Sequence, residues 1–289
     1  MHLSIHNDMI LIADSGSTKT TWLLLSKGQV QESITTAGLN PYFHQADSFR
    51  AVIGTDLAPM LHGYQIDAVF FYGAGCSTPT NNRMVSGVLE QFFPGARTEV
   101  HHDILGAARA LFGHGNGIAC ILGTGCNSCY FDGSDTHAVV DSLGYLFGDE
   151  GAGSYLGKLL LGAYLRKELP ADLRDDFSRE YGFTLEDILN ALYNKPFPNR
   201  FLASFSHFMA PRQGHPFIGE LLTRSFRDFF TAHIRKYDGY RTLPVGFVGS
   251  IAHHYKDLLM AVAAEESVNV ERILSSPAEG LAGYHAARS

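Results

Sequence analysis

The chain is short of basic residues, of cysteine and of long apolar runs, and each shortage excludes a class of protein. Lysine and arginine number 22 against 29 aspartates and glutamates, a formal net charge of −7. Binding to nucleic acid or an anionic membrane needs a basic surface that displaces counterions, so a small diffusible partner is expected, with no nucleic acid and no membrane. The four cysteines, Cys76, Cys120, Cys126 and Cys129, are too few and too irregularly spaced in 289 residues for a disulfide framework, and reduced thiols are expected. No apolar stretch approaches the roughly 20 residues that span a bilayer. Residues 1–8 carry neither the basic start nor the apolar core of a signal peptide, so the cytoplasm is the expected compartment. Two familiar motifs are missing as well. No glycine-rich G-x-G-x-x-G opens a helix, which leaves a dinucleotide fold without support, and the 14 histidines form no H-E-x-x-H or similar zinc spacing.

What is present is an ordinary globular composition, 45% hydrophobic and 18% charged, enough for one large core or two smaller ones. Hydrophobic periodicity predicts strands at 9–13, 22–26 and 29–35, a helix over 46–61, a strand at 68–73, a helix over 82–93, a strand at 98–102 and a helix from 104. That order, βββαβαβα, starts again at Gly117, with short strands at 117–122, 129–131 and 138–142 and a helix over 151–167. An α-rich stretch, about 171–240, interrupts the second copy. Within it Ile218, Leu221, Leu222, Phe226, Phe229, Phe230 and Ile234 recur at three- and four-residue steps, the stripe of a core-facing helix. A buried strand at 245–248, a helix over 256–264, a strand at 268–270 and a helix over 278–287 follow. The expected division is therefore an N-terminal domain of residues 1–105, onto which the segment 277–289 packs back, and a C-terminal domain of residues 106–276.

Two turns rich in glycine and hydroxyls open the two copies. In Asp14-Ser15-Gly16-Ser17-Thr18-Lys19-Thr20 the glycine permits a tight backbone, the hydroxyls and N–H groups can receive an anion, and Lys19 adds positive charge. A Walker A loop needs glycine before the lysine and a helix after it; here Thr18 precedes and a strand follows, so the pattern is a hairpin that grips phosphate. The second turn is Gly123-Thr124-Gly125-Cys126-Asn127-Ser128. Two acids sit among four glycines in Gly144-Tyr145-Leu146-Phe147-Gly148-Asp149-Glu150-Gly151-Ala152-Gly153, and Gly249-Ser250 end a strand where a purine or ribose can lie close. Asp103 closes a strand where a helix begins, either as an N-cap or as a carboxylate poised for chemistry.

With these segments the chain resembles the sugar-kinase, actin and heat-shock ATPase superfamily, and within it the BadF/BadG/BcrA/BcrD ATPase family, especially its N-acetylglucosamine kinase branch. The Gly-Asp-Glu-Gly core at 148–151 is the most specific mark, and the resemblance covers nearly the whole chain. It implies an α/β fold of two ribonuclease-H-like domains that clasp ATP and Mg²⁺. It further implies that Asp14 holds the Mg²⁺ hydration shell, that Gly16, Ser17 and Thr18 line the γ-phosphate, with Lys19 also at the ATP, and that Gly123, Thr124 and Gly125 meet the β-phosphate. Gly249 and Ser250 would approach the adenosine, Asn40, Leu143, Gly144 and Asp149 would bind the sugar, and Asp103 would be the catalytic base. Ser15 and Ser17 stand where glycines are common, and Cys126, where serine is usual, is expected to be shielded from thiol reagents by Mg-ATP. The expected activity is ATP-dependent phosphorylation of an amino sugar, N-acetylglucosamine foremost, at its 6-hydroxyl. Glucosamine and N-acetylmuramic acid are the alternative substrates. Another alternative is an ATPase that activates a 2-hydroxyacyl-CoA dehydratase through an iron–sulfur cluster, for which Cys76 is the candidate ligand because Cys126 and Cys129 point to opposite faces. The α-rich stretch is a candidate homodimer face.

Overall fold

The structure, a computed structural model, describes residues 9–287. Residues 1–8, which bear the expectation about a signal peptide, and residues 288–289 of the expected terminal segment lie outside the described residues. The chain forms two compact units: residues 9–115, 131–136 and 276–287, and residues 116–130 and 137–275.

In the first unit β1 (Met9–Ser15), β2 (Lys19–Ser26), β3 (Gln29–Ala37), β4 (Ala68–Gly73) and β5 (Arg97–His102) form one sheet in the order β3-β2-β1-β4-β5. Strands β1, β2 and β3 pair antiparallel through tight turns, whereas β1, β4 and β5 run parallel and are joined by helices. Strand β4 is buried at every position, as its unbroken apolar run requires when helices cover both faces. The helices are Ala46–Val52, Pro79–Phe92 and Asp103–Phe112, with Ala278–Ala286 from the end of the chain. That last helix is tied in where His285 Nε2 and the Arg109 guanidinium meet the Tyr72 hydroxyl, at 2.9 and 2.8 Å.

The second unit holds β6 (Gly117–Leu122), β7 (Cys126–Phe131), β8 (Thr136–His137), β9 (Val245–Val248) and β10 (Val270–Leu274), in the order β10-β9-β6-β7-β8. Taken from its other end that order is β8-β7-β6-β9-β10, strand for strand the order of the first sheet. The duplicated α/β architecture is therefore present in the topology itself. Five α-helices and a 3₁₀ helix between Ala171 and Ala232 fill the insertion, and the stripe on Pro216–Ala232 is buried at Ile218, Leu221, Leu222, Phe226, Phe229 and Phe230. No helix among the described residues is long and apolar enough to cross a membrane.

Several local expectations need correction. Residues 138–142 are not a strand; Val139 is exposed, so no buried face favours pairing there, and the short β8 lies just before them. The helix expected over 46–61 changes character, from α over Ala46–Val52 to π over Ile53–Leu57 and 3₁₀ over Ala58–Leu61. Pro59 has no N–H for the next α-helical bond, and Ala58 N–H instead reaches Ile53 O, five residues back. Strand β7 begins at Cys126 rather than 129, and β10 spans Val270–Leu274 rather than 268–270.

Candidate active site

The three parallel strands of the first unit end level with one another: Ser15 pairs with Gly73, and Gly73 with His102. This register puts Asp14 at one end of a shared carboxyl edge and Asp103, the residue after β5, two strands away, roughly 10 Å at ordinary strand spacing. Ligands of open α/β sheets gather at such edges.

The first turn is held from beneath. Gly16 N–H donates to Lys19 O at 3.0 Å, and Gly38 N–H donates to Thr18 O at 3.0 Å. A Cβ on Gly38 would lie 2.5 Å from Gly16 O and 2.7 Å from Ser17 C, so only glycine lets the exit of β3 pass this close. Ser15 and Thr20 are buried with their hydroxyl oxygens 2.7 Å apart; Ser15 also bonds both the N–H and the carbonyl of Leu39, at 3.1 and 2.9 Å, and Thr20 donates to Ala37 O at 3.1 Å. These two hydroxyls brace the loop and do not face an anion, contrary to the expectation from their residue type. Ser17 is half-buried, and Thr18 and Lys19 are exposed at the tip.

The bracing carries on into Asn40, which is buried next to Leu39. Its Oδ1 accepts from Tyr42 N–H at 2.9 Å, and its carbonyl accepts from Phe43 N–H and His44 N–H, both at 2.9 Å. A Cβ on Gly75 would fall 2.3 Å from Asn40 Oδ1, so the loop after β4 presses against it. Cys76 in that loop is buried, and burial with the nearby Asp103 charge pushes its thiol up to about 12.

Asp14 Oδ2 accepts from Ser276 Oγ at 3.1 Å. Burial holds its carboxyl up to about 7; the Asp103 charge adds to the rise, while the Ser276 bond and Lys19 oppose it. Asp103 is the first residue of the Asp103–Phe112 helix, but it is not the cap. His102 occupies the cap position, without a side-chain cap bond. Asp103 Oδ1 is buried with no hydrogen-bond partner; His102 Nε2 stands 3.4 Å away, at ion-pair distance but without hydrogen-bond alignment. A buried carboxylate oxygen left open in this way costs stability, so a ligand group is the natural partner for it.

In the second unit the turn after β6 is fixed through its carbonyls. Gly153 N–H donates to Gly123 O and Ser154 N–H to Thr124 O, both at 2.9 Å, where the Gly153–Leu165 helix begins. Asp149 is buried, with φ of 63° in the left-handed region; its Oδ1 accepts from Cys126 N–H at 3.0 Å and its Oδ2 from Ser154 Oγ at 2.8 Å. Burial raises its carboxyl above the ordinary range, and those two bonds oppose the rise. Gly249 has φ of 128°, and a Cβ there would lie 2.2 Å from Leu122 O, so the start of the Ser250–His254 helix sits directly on the base of the turn. Gly123, Thr124, Gly125, Asp149, Gly249 and Ser250 are thus brought together. Leu143 and Gly144 begin a short helical turn, where Leu143, Leu146 and Phe147 are exposed and Lys158 Nζ donates to Tyr145 O at 3.1 Å.

Cys126 is not the accessible thiol expected of a turn residue. As the first residue of β7 it is buried, and burial next to Asp149 and Glu150 raises its thiol well above the ordinary range, so slow alkylation is expected with or without nucleotide. Sequence reasoning missed Ser276 and His233 as partners. Ser276 bonds Asp14 across 262 positions and His233 meets Cys126 across 107, separations for which the sequence holds no local signal.

No protein-family model matches the chain, and no curated protein does. Among solved structures, a candidate N-acetylglucosamine kinase of Porphyromonas gingivalis is 43% identical, superposes with a TM-score of 0.92, and is matched over 96% of this chain and 99% of its own. A second candidate N-acetylglucosamine kinase, from Chromobacterium violaceum, shares the fold at a TM-score of 0.75 and 19% identity, over 96% of this chain and 98% of its own. A ROK hexokinase from Thermus thermophilus matches at 0.50 and 12%, over 96% and 97%. The paired five-stranded sheets are those of the actin-like ATPase fold. At 43% identity over nearly the full length of both chains, this chain belongs to the N-acetylglucosamine kinase-like branch of the sugar-kinase, actin and heat-shock ATPase superfamily.

Proposed function

We propose that the protein transfers the γ-phosphoryl group of Mg-ATP to the 6-hydroxyl of an amino sugar, N-acetylglucosamine foremost. The observation that carries this reading is the buried Asp103 oxygen without a hydrogen bond, at the same sheet edge as Asp14. A general base must have a free lone pair aimed where the substrate hydroxyl arrives, and Asp103 offers one.

The site residues also suit a divalent cation. Burial and the Asp103 charge hold the Asp14 carboxyl up to about 7, so positive charge between Asp14 and a triphosphate would relieve repulsion that Lys19 offsets only in part. Asp14 would hold Mg²⁺ through its water shell, and the ion when bound neutralises charge on the phosphate oxygens. Gly16, whose N–H is held by Lys19 O, would line the γ-phosphate with Ser17, Thr18 and the Lys19 ammonium. Gly123, whose N–H is held by Gly125 O, would line the β-phosphate with Thr124 and Gly125, and Gly249 and Ser250 would receive the adenosine. Asn40, Leu143, Gly144 and Asp149 orient the sugar; Asn40 Oδ1 is already engaged by Tyr42 N–H, so its amide N–H₂ is the group left to donate. In the transfer, O6 forms a bond to the γ-phosphorus, the bond from that phosphorus to the bridging oxygen of ADP breaks, and the O6 proton passes to Asp103. Fixed donors around the phosphoryl group supply the rest of the acceleration.

Activation of a dehydratase through a shared iron–sulfur cluster is disfavoured by Cys76. That reading needs an accessible thiolate, whereas this thiol is buried and pushed up to about 12. A coupled assay of ADP release over N-acetylglucosamine, glucosamine and N-acetylmuramic acid tests the proposal. Sugar-dependent release that is greatest with N-acetylglucosamine supports it; release indifferent to every sugar refutes it.

A further inference from the structure

Behind the second phosphate turn, three side chains of different chemistry converge in the second unit. Cys126 Sγ lies 3.4 Å from His233 Nε2, and Glu150 Oε2 lies 3.7 Å from the same nitrogen. All three ligand atoms fall within 4.8 Å of one another. In a tetrahedral zinc site with thiolate, imidazole and carboxylate at their usual bond lengths, neighbouring ligand atoms are about 3.4–3.6 Å apart. Two of the three edges already have nearly that length.

The imidazole is held as a ligating histidine is held. Its Nδ1 pairs with Ser128 Oγ at 3.1 Å, and Ser128 Oγ is in turn 2.9 Å from the Tyr237 hydroxyl. Its ring stacks on Phe229 at 4.8 Å and 18°. With one nitrogen tied to this buried relay, the other is aimed at Cys126 and Glu150, the arrangement by which outer groups orient metal ligands. Strand alternation supplies the pair on β7: Cys126 and Ser128 share the face toward His233, and Cys129 lies on the other. Glu150, with its side chain 22% exposed, is the one ligand at the rim and the one that has to move inward.

We propose that Cys126, Glu150 and His233 bind a soft divalent cation of the zinc class, with water as the fourth ligand. Binding joins the thiolate sulfur, the imidazole nitrogen and a carboxylate oxygen to the metal and releases the Cys126 proton to solvent. Because Cys126 follows Gly125 directly and its N–H is held by Asp149, the residue before Glu150, such an ion fastens the turn to the acidic loop. The inference rests on the second unit alone and stands apart from the reading of the protein as a kinase.

The test is a titration of chelator-stripped full-length protein with Co²⁺, followed by absorbance. The expected result is one equivalent bound with a thiolate-to-cobalt charge-transfer band, displaced by Zn²⁺ and absent in Cys126→Ser. Ser128→Ala, which frees the histidine without removing a ligand, should weaken binding by about 10- to 100-fold. If Cys126→Ser does not fold, Glu150→Gln at the rim replaces it, with an unchanged unfolding midpoint and Co²⁺ affinity lowered at least about tenfold. No charge-transfer band in the wild type, a band that survives Cys126→Ser, or undiminished affinity in folded Glu150→Gln each overturns the proposal.

Discussion

The two sheet copies share one strand order but treat their acids in opposite ways. At the edge of the first, Asp103 keeps a buried oxygen without a hydrogen bond, and Asp14 is held up to about 7 with one serine as its partner. At the edge of the second, both oxygens of Asp149 are satisfied, one by Cys126 N–H and the other by Ser154 Oγ. The two copies thus differ in what they hold: the first has an acid with a buried oxygen left without a hydrogen bond, and the second engages both oxygens of its acid where its turn is held. The turns differ in the same sense. Ser15 and Thr20 brace the first from below through hydroxyls, whereas the second is pinned by its carbonyls to the start of a helix.

The largest effect is expected where the contrast is sharpest. Asp103→Asn keeps size and removes the proton acceptor, and sugar phosphorylation should fall by roughly 10²–10⁴-fold with both substrates still bound. Because Asp103 caps nothing, its unfolding midpoint should stay near wild type; turnover and thermal unfolding on the same sample decide this. Asp149→Ala should behave the other way. It leaves the Cys126 N–H and the Ser154 hydroxyl without an acceptor in a buried place, and urea unfolding should show a loss of about 2–4 kcal/mol. A stable Asp149→Ala protein would dissolve the contrast.

Asn40 refines the comparison within the first copy. Its replacement by Ala should weaken sugar binding about tenfold, the loss of a donor or two, and Mg-ATP binding much less, both read by calorimetry. Equal losses would make Asn40 a brace for the turn and nothing more. The smallest effect belongs to His233. Burial lowers its pKa below 6.5, so the folded state binds its proton less readily than the unfolded chain, and stability contributed at neutral pH is lost as pH falls below that value. In metal-free protein His233→Asn should therefore flatten the change in unfolding free energy between about pH 7 and about pH 5, a range that brackets the ordinary histidine value. An unaltered slope would assign the acid sensitivity to other groups.

Legibility in the sequence followed burial. Strands β1, β4, β6 and β9 are short apolar runs closed by glycine or a hydroxyl, and they lie where periodicity puts them. Strand β10 lies at the sheet edge with Glu271 and Arg272 exposed, so its outer residues look like loop and its position was displaced. At the site, glycine density and the step from strand to helix brought out the turns and Asp103. Which hydroxyls face a ligand could not be read, since Ser15 and Ser17 are alike in type and only the fold turns Ser15 inward onto Leu39. Partners remote in the chain, such as Ser276 for Asp14 and His233 for Cys126, exist only once the sheets are assembled.

The central claim is that a phosphoryl group leaves ATP for a sugar hydroxyl and not for water. Phosphorus and proton NMR of the full-length protein with Mg-ATP and N-acetylglucosamine tests it most directly. ADP and a sugar phosphorylated at its 6-hydroxyl are expected in equal amounts, a product that Asp103→Asn forms only slowly. ADP accompanied by inorganic phosphate, with the sugar unchanged, would contradict it.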